Sequence, residues 1–167
     1  MNKEKWVIFD LDGTLADLEK RRNLCSIEQG QNLSKGKKMD WDCFFDPKNI
    51  PLDEPKQDVI LMAQALAEMG YKIAILSGRS YACDEMTRWW LAKHNVPWNI
   101  LKLRPTKHPY KYMPDEKLKL QWFNEIFVDS EDMDEAEVVA VFDDRDKVVN
   151  MWREIGLTCM QVAPGNF

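Results

Sequence analysis

Trp6-Val7-Ile8-Phe9-Asp10-Leu11-Asp12-Gly13-Thr14 is the stretch that decides the fold. Four apolar residues in succession, with no polar alternation, suit a strand covered on both faces, as the strands of a parallel sheet are. Working outward, three similar runs recur at residues 71–76, 138–142 and 159–162, with a weaker one at 99–103. Helical spacing fills the intervals. Val59, Met62, Ala63, Leu66 and Met69 recur at three and four residues before Gly70, which predicts a C-cap. Met86, Trp89, Trp90 and Lys93 predict a second helix, ending before Val96-Pro97, and Leu118, Trp122, Ile126 and Phe127 a third. Val148, Val149, Trp152 and Ile155 predict a fourth, closed by Gly156. Strands alternating with helices predict an α/β fold, a doubly wound parallel sheet with right-handed crossovers.

Residues 16–57 break the alternation. They carry Gly30, Gly36, Pro47, Pro51 and Pro55 with Trp41, Phe44 and Phe45, and are longer than a connection needs. Two readings stand open, a small cap over a site or a mobile lid. At 167 residues, 45% hydrophobic and 31% charged, the chain reads as a single domain, 1–167, and neither disordered nor low-complexity. No signal-peptide core and no run of eighteen apolar residues is present, so a soluble, cytoplasmic protein away from membranes is expected. Cys25, Cys43, Cys83 and Cys159 form no CxxC pair, and His94 and His108 are the only histidines. That excludes an obvious zinc site and predicts four mostly buried, reduced thiols.

In open parallel sheets, ligands bind at the carboxyl ends of the strands. There the sequence puts Asp10-Leu11-Asp12-Gly13-Thr14, Ser77-Gly78-Arg79 and Asp143-Asp144-Arg145. Any one of these could be turn chemistry. Converging carboxylates, however, repel one another unless a cation joins them; an oxygen-only donor set suits a hard cation, and magnesium is the one expected. In Asp10-x-Asp12, one carboxylate can attack an electrophile while the other handles a proton. Thr14 and Ser77 offer groups to an anion, and Arg79 and Lys119 can neutralise phosphate oxygens. The inventory suits phosphoryl transfer through an aspartyl-phosphate.

The ordered set Phe9-Asp10-Leu11-Asp12-Gly13-Thr14-Leu15, Ile75-Leu76-Ser77-Gly78-Arg79, a lysine, and Phe142-Asp143-Asp144-Arg145 resembles the four motifs of the haloacid dehalogenase-like phosphohydrolases. The segment from Arg145 through Met151-Trp152-Arg153 to Gly165-Asn166-Phe167 resembles the C-terminus of phage polynucleotide kinase/phosphatases. So does Arg104-Pro105 followed by Pro114-Asp115-Glu116-Lys117-Leu118-Lys119. Only residues 23–57 fall outside the likeness. The resemblance implies a haloacid dehalogenase-like Rossmannoid core with a small cap insertion after the first strand. It implies Asp10 as nucleophile and Asp12 as acid and then base. Asp10, the main-chain carbonyl of Asp12, and Asp144 would hold Mg2+, with Asp143 beside them. Ser77 would bond the phosphoryl group and Lys119 neutralise it, with Lys117 a rival. Arg21, with Arg22 its rival, matches an essential arginine eleven residues after the nucleophile, and Arg79 a second. Asp115, four residues before Lys119, matches an essential aspartate, although it could merely cap its helix. No GxxxxGK[ST] occurs, so kinase activity is not expected of this chain.

Charge separates the substrate classes. The net charge of −5 by itself argues against a nucleic-acid binder. Its distribution does not. Between Met86 and Pro114 no residue is acidic, while Arg88, Lys93, Lys102, Arg104, Lys107 and Lys111 are basic and Tyr110 and Tyr112 lie among them. Lys20, Arg21, Arg22, Lys35, Lys37 and Lys38 form a second basic segment. Glu125, Asp129, Glu131, Asp132, Asp134, Glu135 and Glu137 gather before the third strand, away from its carboxyl end. Solvated faces are the plain alternative for all three groups. Of the seven tryptophans, most should pack in the core, one of Trp89 and Trp90 facing inward and the other outward, and none is assigned to base stacking. The expected function is a magnesium-dependent phosphatase removing 3′-phosphates from RNA or DNA ends. The alternatives are a nucleotidase acting on small monoesters and a catalytically idle binding module, which intact Asp10 and Asp12 disfavour.

Overall fold

The computed structural model describes residues 3–28, 37–131 and 136–166. The chain opens with β1 (Glu4–Phe9) and then enters the inserted segment. This holds β2 (Ala16–Asp17), α1 (Glu19–Leu24), β3 (Ser26–Glu28), β4 (Lys37–Met39), the one-turn helix α2 (Trp41–Phe44) and β5 (Glu54–Pro55). Regular alternation then resumes with α3 (Gln57–Glu68), β6 (Lys72–Ser80), α4 (Asp84–Lys93), β7 (Ile100–Arg104) and α5 (Asp115–Phe123). It finishes with β8 (Ala136–Asp143), α6 (Asp146–Glu154) and β9 (Cys159–Gln161).

β1 sits at the centre of a five-stranded sheet of order β7-β6-β1-β8-β9, every neighbouring pair parallel. The uninterrupted apolar runs follow from this, because both faces are covered. Val7, Phe9, Ile73, Ile75 and Phe142 point to one face, where Ile60, Ala63, Trp90 and Leu91 of α3 and α4 meet them. Trp6, Ile8, Ala74, Leu76 and Val141 point to the other, against Leu118 and Trp122 of α5 and Val148, Val149 and Trp152 of α6. The doubly wound architecture expected from the sequence is therefore present. The expected C-cap is also found: Gly70 takes φ +89° after α3, a value side chains disfavour.

Two elements run differently from the sequence reading. Ser77-Gly78-Arg79 does not follow the second strand but extends it, since β6 continues to Ser80 with a register shift against β7 after Ser77. The apolar signal stops at Leu76, yet β7 still offers hydrogen-bond partners beyond it. The third helix ends its α-helical part at Phe123 and widens into a π-helical turn over Asn124–Val128.

The cysteine expectation needs a larger correction. Cys25 and Cys43 form a disulfide joining the end of α1 to α2, and only Cys83 and Cys159 are free, both buried. Spacing alone concealed the pair, because 18 residues separate its members and the chain turns back between them. At the neck of the insertion, β2 and β5 pair antiparallel, Ala16 with Pro55 and Asp17 with Glu54, so both ends of the segment leave the core together. Gly30, Lys35 and Gly36, and Asp132, Asp134 and Glu135 of the acidic run, lie outside the described residues, as does the side chain of Lys37. Four tryptophans, Trp6, Trp90, Trp122 and Trp152, are buried, whereas Trp89 lies outward beneath the Lys93 ammonium. Among the described residues no helix is long and apolar enough to cross a membrane.

Candidate active site

The carboxyl ends of β1, β6 and β8 meet over a cavity of about 170 Å³. Asp10, Lys119, Asp143 and Asp144 form its floor, Gly78, Asp115, Arg145 and Val148 one wall, and Arg22, Met39, Trp41, Phe44 and Phe45 of the insertion another. Asp10 leaves β1 with its amide bonded to the Phe142 carbonyl (2.9 Å), which ties the ends of β1 and β8 together. Its side chain is buried. Lys119, one turn into α5, donates from Nζ to Asp10 Oδ1 and Asp143 Oδ2, both at 2.7 Å. Asp143 Oδ1 accepts from the amides of Asp144 (3.0 Å) and Arg145 (3.3 Å).

Two carboxylates thus share one ammonium, and Asp144 stands close enough to feel its charge. Burial pushes Asp10 well above the usual carboxylate range, with Asp143 and Asp144 adding repulsion against the pull of Lys119. Burial and Asp143 push Asp144 up to about 6. Oxygen atoms of Asp10, Asp143 and Asp144 lie within 4.8 Å of one another. A hard divalent cation suits this set, since it takes oxygen ligands and would balance the excess negative charge. Gly13 is required beside it: at φ +90°, a Cβ there would come within 2.1 Å of Asp144 Oδ2.

Asp12 points elsewhere, although only Leu11 separates it from Asp10. Its carboxylate accepts from Arg79 through Nε (2.9 Å) and Nη2, and lies 3.5 Å from Arg21 Nη2. Burial raises Asp12, but the charges of Arg79 and Arg21 outweigh it and hold the carboxyl below its ordinary range. Both guanidiniums are fully buried. A second carboxylate completes their coordination: Asp53 accepts from Arg21 Nε at 2.8 Å and Arg79 Nη2 at 2.7 Å. Burial and the nearby Asp12 charge push Asp53 up to about 6 despite these partners. Arg21 also donates to the Phe44 carbonyl at 3.0 Å and lies over the Phe44 ring, 4.2 Å from its centroid.

The structure brings the sequence-derived residues together in two tiers. Asp10, Asp12, Arg79, Asp115, Lys119, Asp143 and Asp144 line the cavity. Arg21 and Ser77 lie behind it, fully buried, Arg21 against Asp12 and Ser77 accepting from the Arg79 amide at 3.2 Å. Of the rival pairs, Lys119 rather than exposed Lys117 reaches Asp10, and Arg21 rather than Arg22 reaches Asp12. Arg22 instead lines the cavity mouth. Asp115 makes no side-chain cap on α5; its carboxylate accepts from Arg104 and Arg145. Arg104 and Arg88 of the basic stretch are thereby engaged, Arg88 with Asp84 at 2.9 Å, while Lys107 and Lys111 stay exposed. Asp53 escaped the sequence reading. It sits between Pro51 and Pro55, far along the chain from both arginines, and no local pattern marks it.

Comparison with known proteins places this geometry. The model of the polynucleotide kinase PNKP phosphatase-domain family matches residues 34–167. The chain is 33% identical over 152 residues to a protein of Autographa californica nuclear polyhedrosis virus whose name assigns it as a bifunctional polynucleotide kinase/RNA ligase. That match covers 89% of this chain and 18% of the relative. A chain of the Pnkp1/Rnl/Hen1 RNA repair complex superposes with a TM-score of 0.71 at 31% identity, over 99% of this chain and 44% of its own length. The chain thus spans less than half of either relative. A haloacid dehalogenase-like hydrolase from Streptococcus pneumoniae, 13% identical, shares the fold with a TM-score of 0.60, over 96% of this chain and 84% of its own.

Proposed function

Because this chain belongs to the family of polynucleotide kinase phosphatase domains, haloacid dehalogenase-like phosphomonoester hydrolases, we propose that it removes 3′-phosphates from nucleic-acid ends, with magnesium, through a phosphorylated Asp10. The observation that carries the reading is the separation of Asp10 from Asp12. Asp10 faces Lys119 and the Asp143–Asp144 pair, whereas Asp12 faces two buried arginines. One carboxylate is set to attack an anionic phosphoryl group, and the other to exchange a proton.

In the first half-reaction an Asp10 oxygen attacks phosphorus, the bond to the 3′ oxygen breaks, and Asp12 protonates that oxygen. In the second half, water attacks phosphorus, its proton passes to Asp12, and the Asp10–phosphorus bond breaks to free inorganic phosphate. Arg79 and Arg21 stabilise Asp12 as the carboxylate it becomes after the first half. Lys119 neutralises Asp10 and the incoming phosphoryl oxygens. Asp10, Asp144 and the main-chain carbonyl of Asp12 would hold magnesium, with Asp143 beside them. When bound, the ion screens phosphate charge and orients the ester. Ser77 steadies the β6 end that carries Arg79, and Asp115 holds Arg104 and Arg145 at the opposite wall.

The cavity favours a polymer over a mononucleotide. Its volume of about 170 Å³ lies below the roughly 300–1,000 Å³ of pockets that enclose a whole small molecule. The insertion contributes one wall, and Trp41 and Arg22 on it are exposed. A nucleotidase would enclose its substrate. The reading is tested by kcat/KM on a 3′-phosphorylated oligonucleotide against 3′- and 5′-mononucleotides. The oligonucleotide is expected to be the better substrate, and a mononucleotide that exceeds it transfers the assignment to the nucleotidase.

A further inference from the structure

We propose that Trp41 is the stacking surface for the terminal nucleobase of the substrate, an inference that rests on the 3′-phosphatase reading above. A tryptophan is costly to leave in water, and four of the seven are buried in the core. Trp41 is instead 59% exposed at the cavity mouth. It does not lie loose there. Its ring stacks on Phe45 at 5.8 Å and 18°, and meets the buried Phe44 edge-on at 5.7 Å and 84°. Asp40 caps the turn, accepting from the amides of Asp42 and Cys43, each at 3.1 Å, and the Cys25–Cys43 disulfide ties the same turn to α1. One face of an aromatic ladder is therefore fixed against the protein while its outer member is largely uncovered.

The position of this ladder follows the chemistry. The 3′ oxygen leaving phosphorus must lie beside Asp12, which protonates it. Asp12 leads through Arg21, 3.5 Å away, to the Phe44 ring beneath that guanidinium, and Phe44 leads to Trp41. The nucleoside attached to the leaving oxygen is thus on the side of the cavity where the aromatic wall stands. A phosphate and part of a sugar fill a cavity of about 170 Å³, which leaves the base outside, at the exposed indole. Every base has a π-face, so such a contact accepts any terminal nucleotide and identifies a nucleic-acid end without reading its sequence.

A mutant cycle on the whole chain tests this. Two substrates are compared, a 3′-phosphorylated oligonucleotide and the same oligonucleotide with an abasic tetrahydrofuran residue at its 3′ end. Base stacking is worth about 1–3 kcal/mol, or roughly 5- to 150-fold. The wild-type chain is expected to favour the base-bearing end by a factor in that range in kcat/KM, carried mainly in KM. Trp41→Ala and Trp41→Leu should lose that preference, treating the two ends alike, while Trp41→Phe keeps part of it. Equal kcat/KM for both ends in the wild-type chain overturns the proposal whatever the variants do. An undiminished preference in a Trp41→Leu chain with an unchanged circular dichroism spectrum overturns it equally. Failure of the underlying reading looks different: no 3′-phosphorylated oligonucleotide, abasic or not, is then dephosphorylated, while p-nitrophenyl phosphate still is.

Discussion

Asp53 shows how much the candidate site depends on a residue behind it. With both oxygens bonded by Arg21 and Arg79, it fixes the two guanidiniums that hold Asp12. Its carboxyl is raised from 3.8 to about 6, chiefly by burial. The folded state therefore keeps a proton that the unfolded chain has released over this interval. The stabilising contribution is full below about 4 and is lost as pH rises through about 6, amounting to at most about 3 kcal/mol. Asp53→Asn, which cannot titrate, should flatten the fall in stability between these pH values in urea unfolding, and an unchanged slope would contradict the shift. The aspartates proposed to act in catalysis were legible in the sequence because they follow the apolar runs of β1 and β8, so strand geometry alone assigns them to one rim. Asp53 was not legible, since its partners lie 32 and 26 residues away and only the closed fold brings them together.

At the scale of elements the contrast is between core and insertion. β1 and β8 read clearly because burial on both faces demands continuous apolar residues. The extension of β6 through Ser77-Gly78-Arg79 was hidden because backbone pairing, not side-chain character, sustains it. Inside residues 16–57 the described elements are too short for periodicity to declare them: two ladders of two and three residues, the six-residue α1, the single turn α2 and a six-residue 3-10 helix over Pro47–Leu52. Distant points are tied together there by the Cys25–Cys43 disulfide, by the Arg21–Asp53 ion pair and by Leu18, Phe44 and Ile50 in the core. For a loop of this size the disulfide should contribute about 3 kcal/mol. Cys43→Ser is expected to unfold at lower urea concentration than the wild-type chain when both are oxidised, and at nearly the same concentration once a reductant opens the bond. A gap that persists under reductant would place the effect in packing instead.

For the molecule as a whole, net charge misleads where its placement informs. Three of the 28 acidic residues, Asp10, Asp143 and Asp144, converge on the cavity floor, where a cation is the natural counterweight, while Arg22 and Arg145 also line the cavity. Magnesium at about one hundred times its dissociation constant should stabilise the wild-type fold by roughly 2.7 kcal/mol, seen as a rise in Tm. Asp144→Asn should show little of that rise. Equal rises in both would move the ion elsewhere. If phosphate passes through Asp10, as proposed, an Asp10→Asn chain has no nucleophile to carry it. Since burial already disfavours the charge at this position, the variant should fold and melt much as the wild-type chain does. It should release phosphate from a 3′-phosphorylated oligonucleotide about 10⁴-fold more slowly or worse. A folded Asp10→Asn chain with turnover near that of wild type would contradict the covalent route.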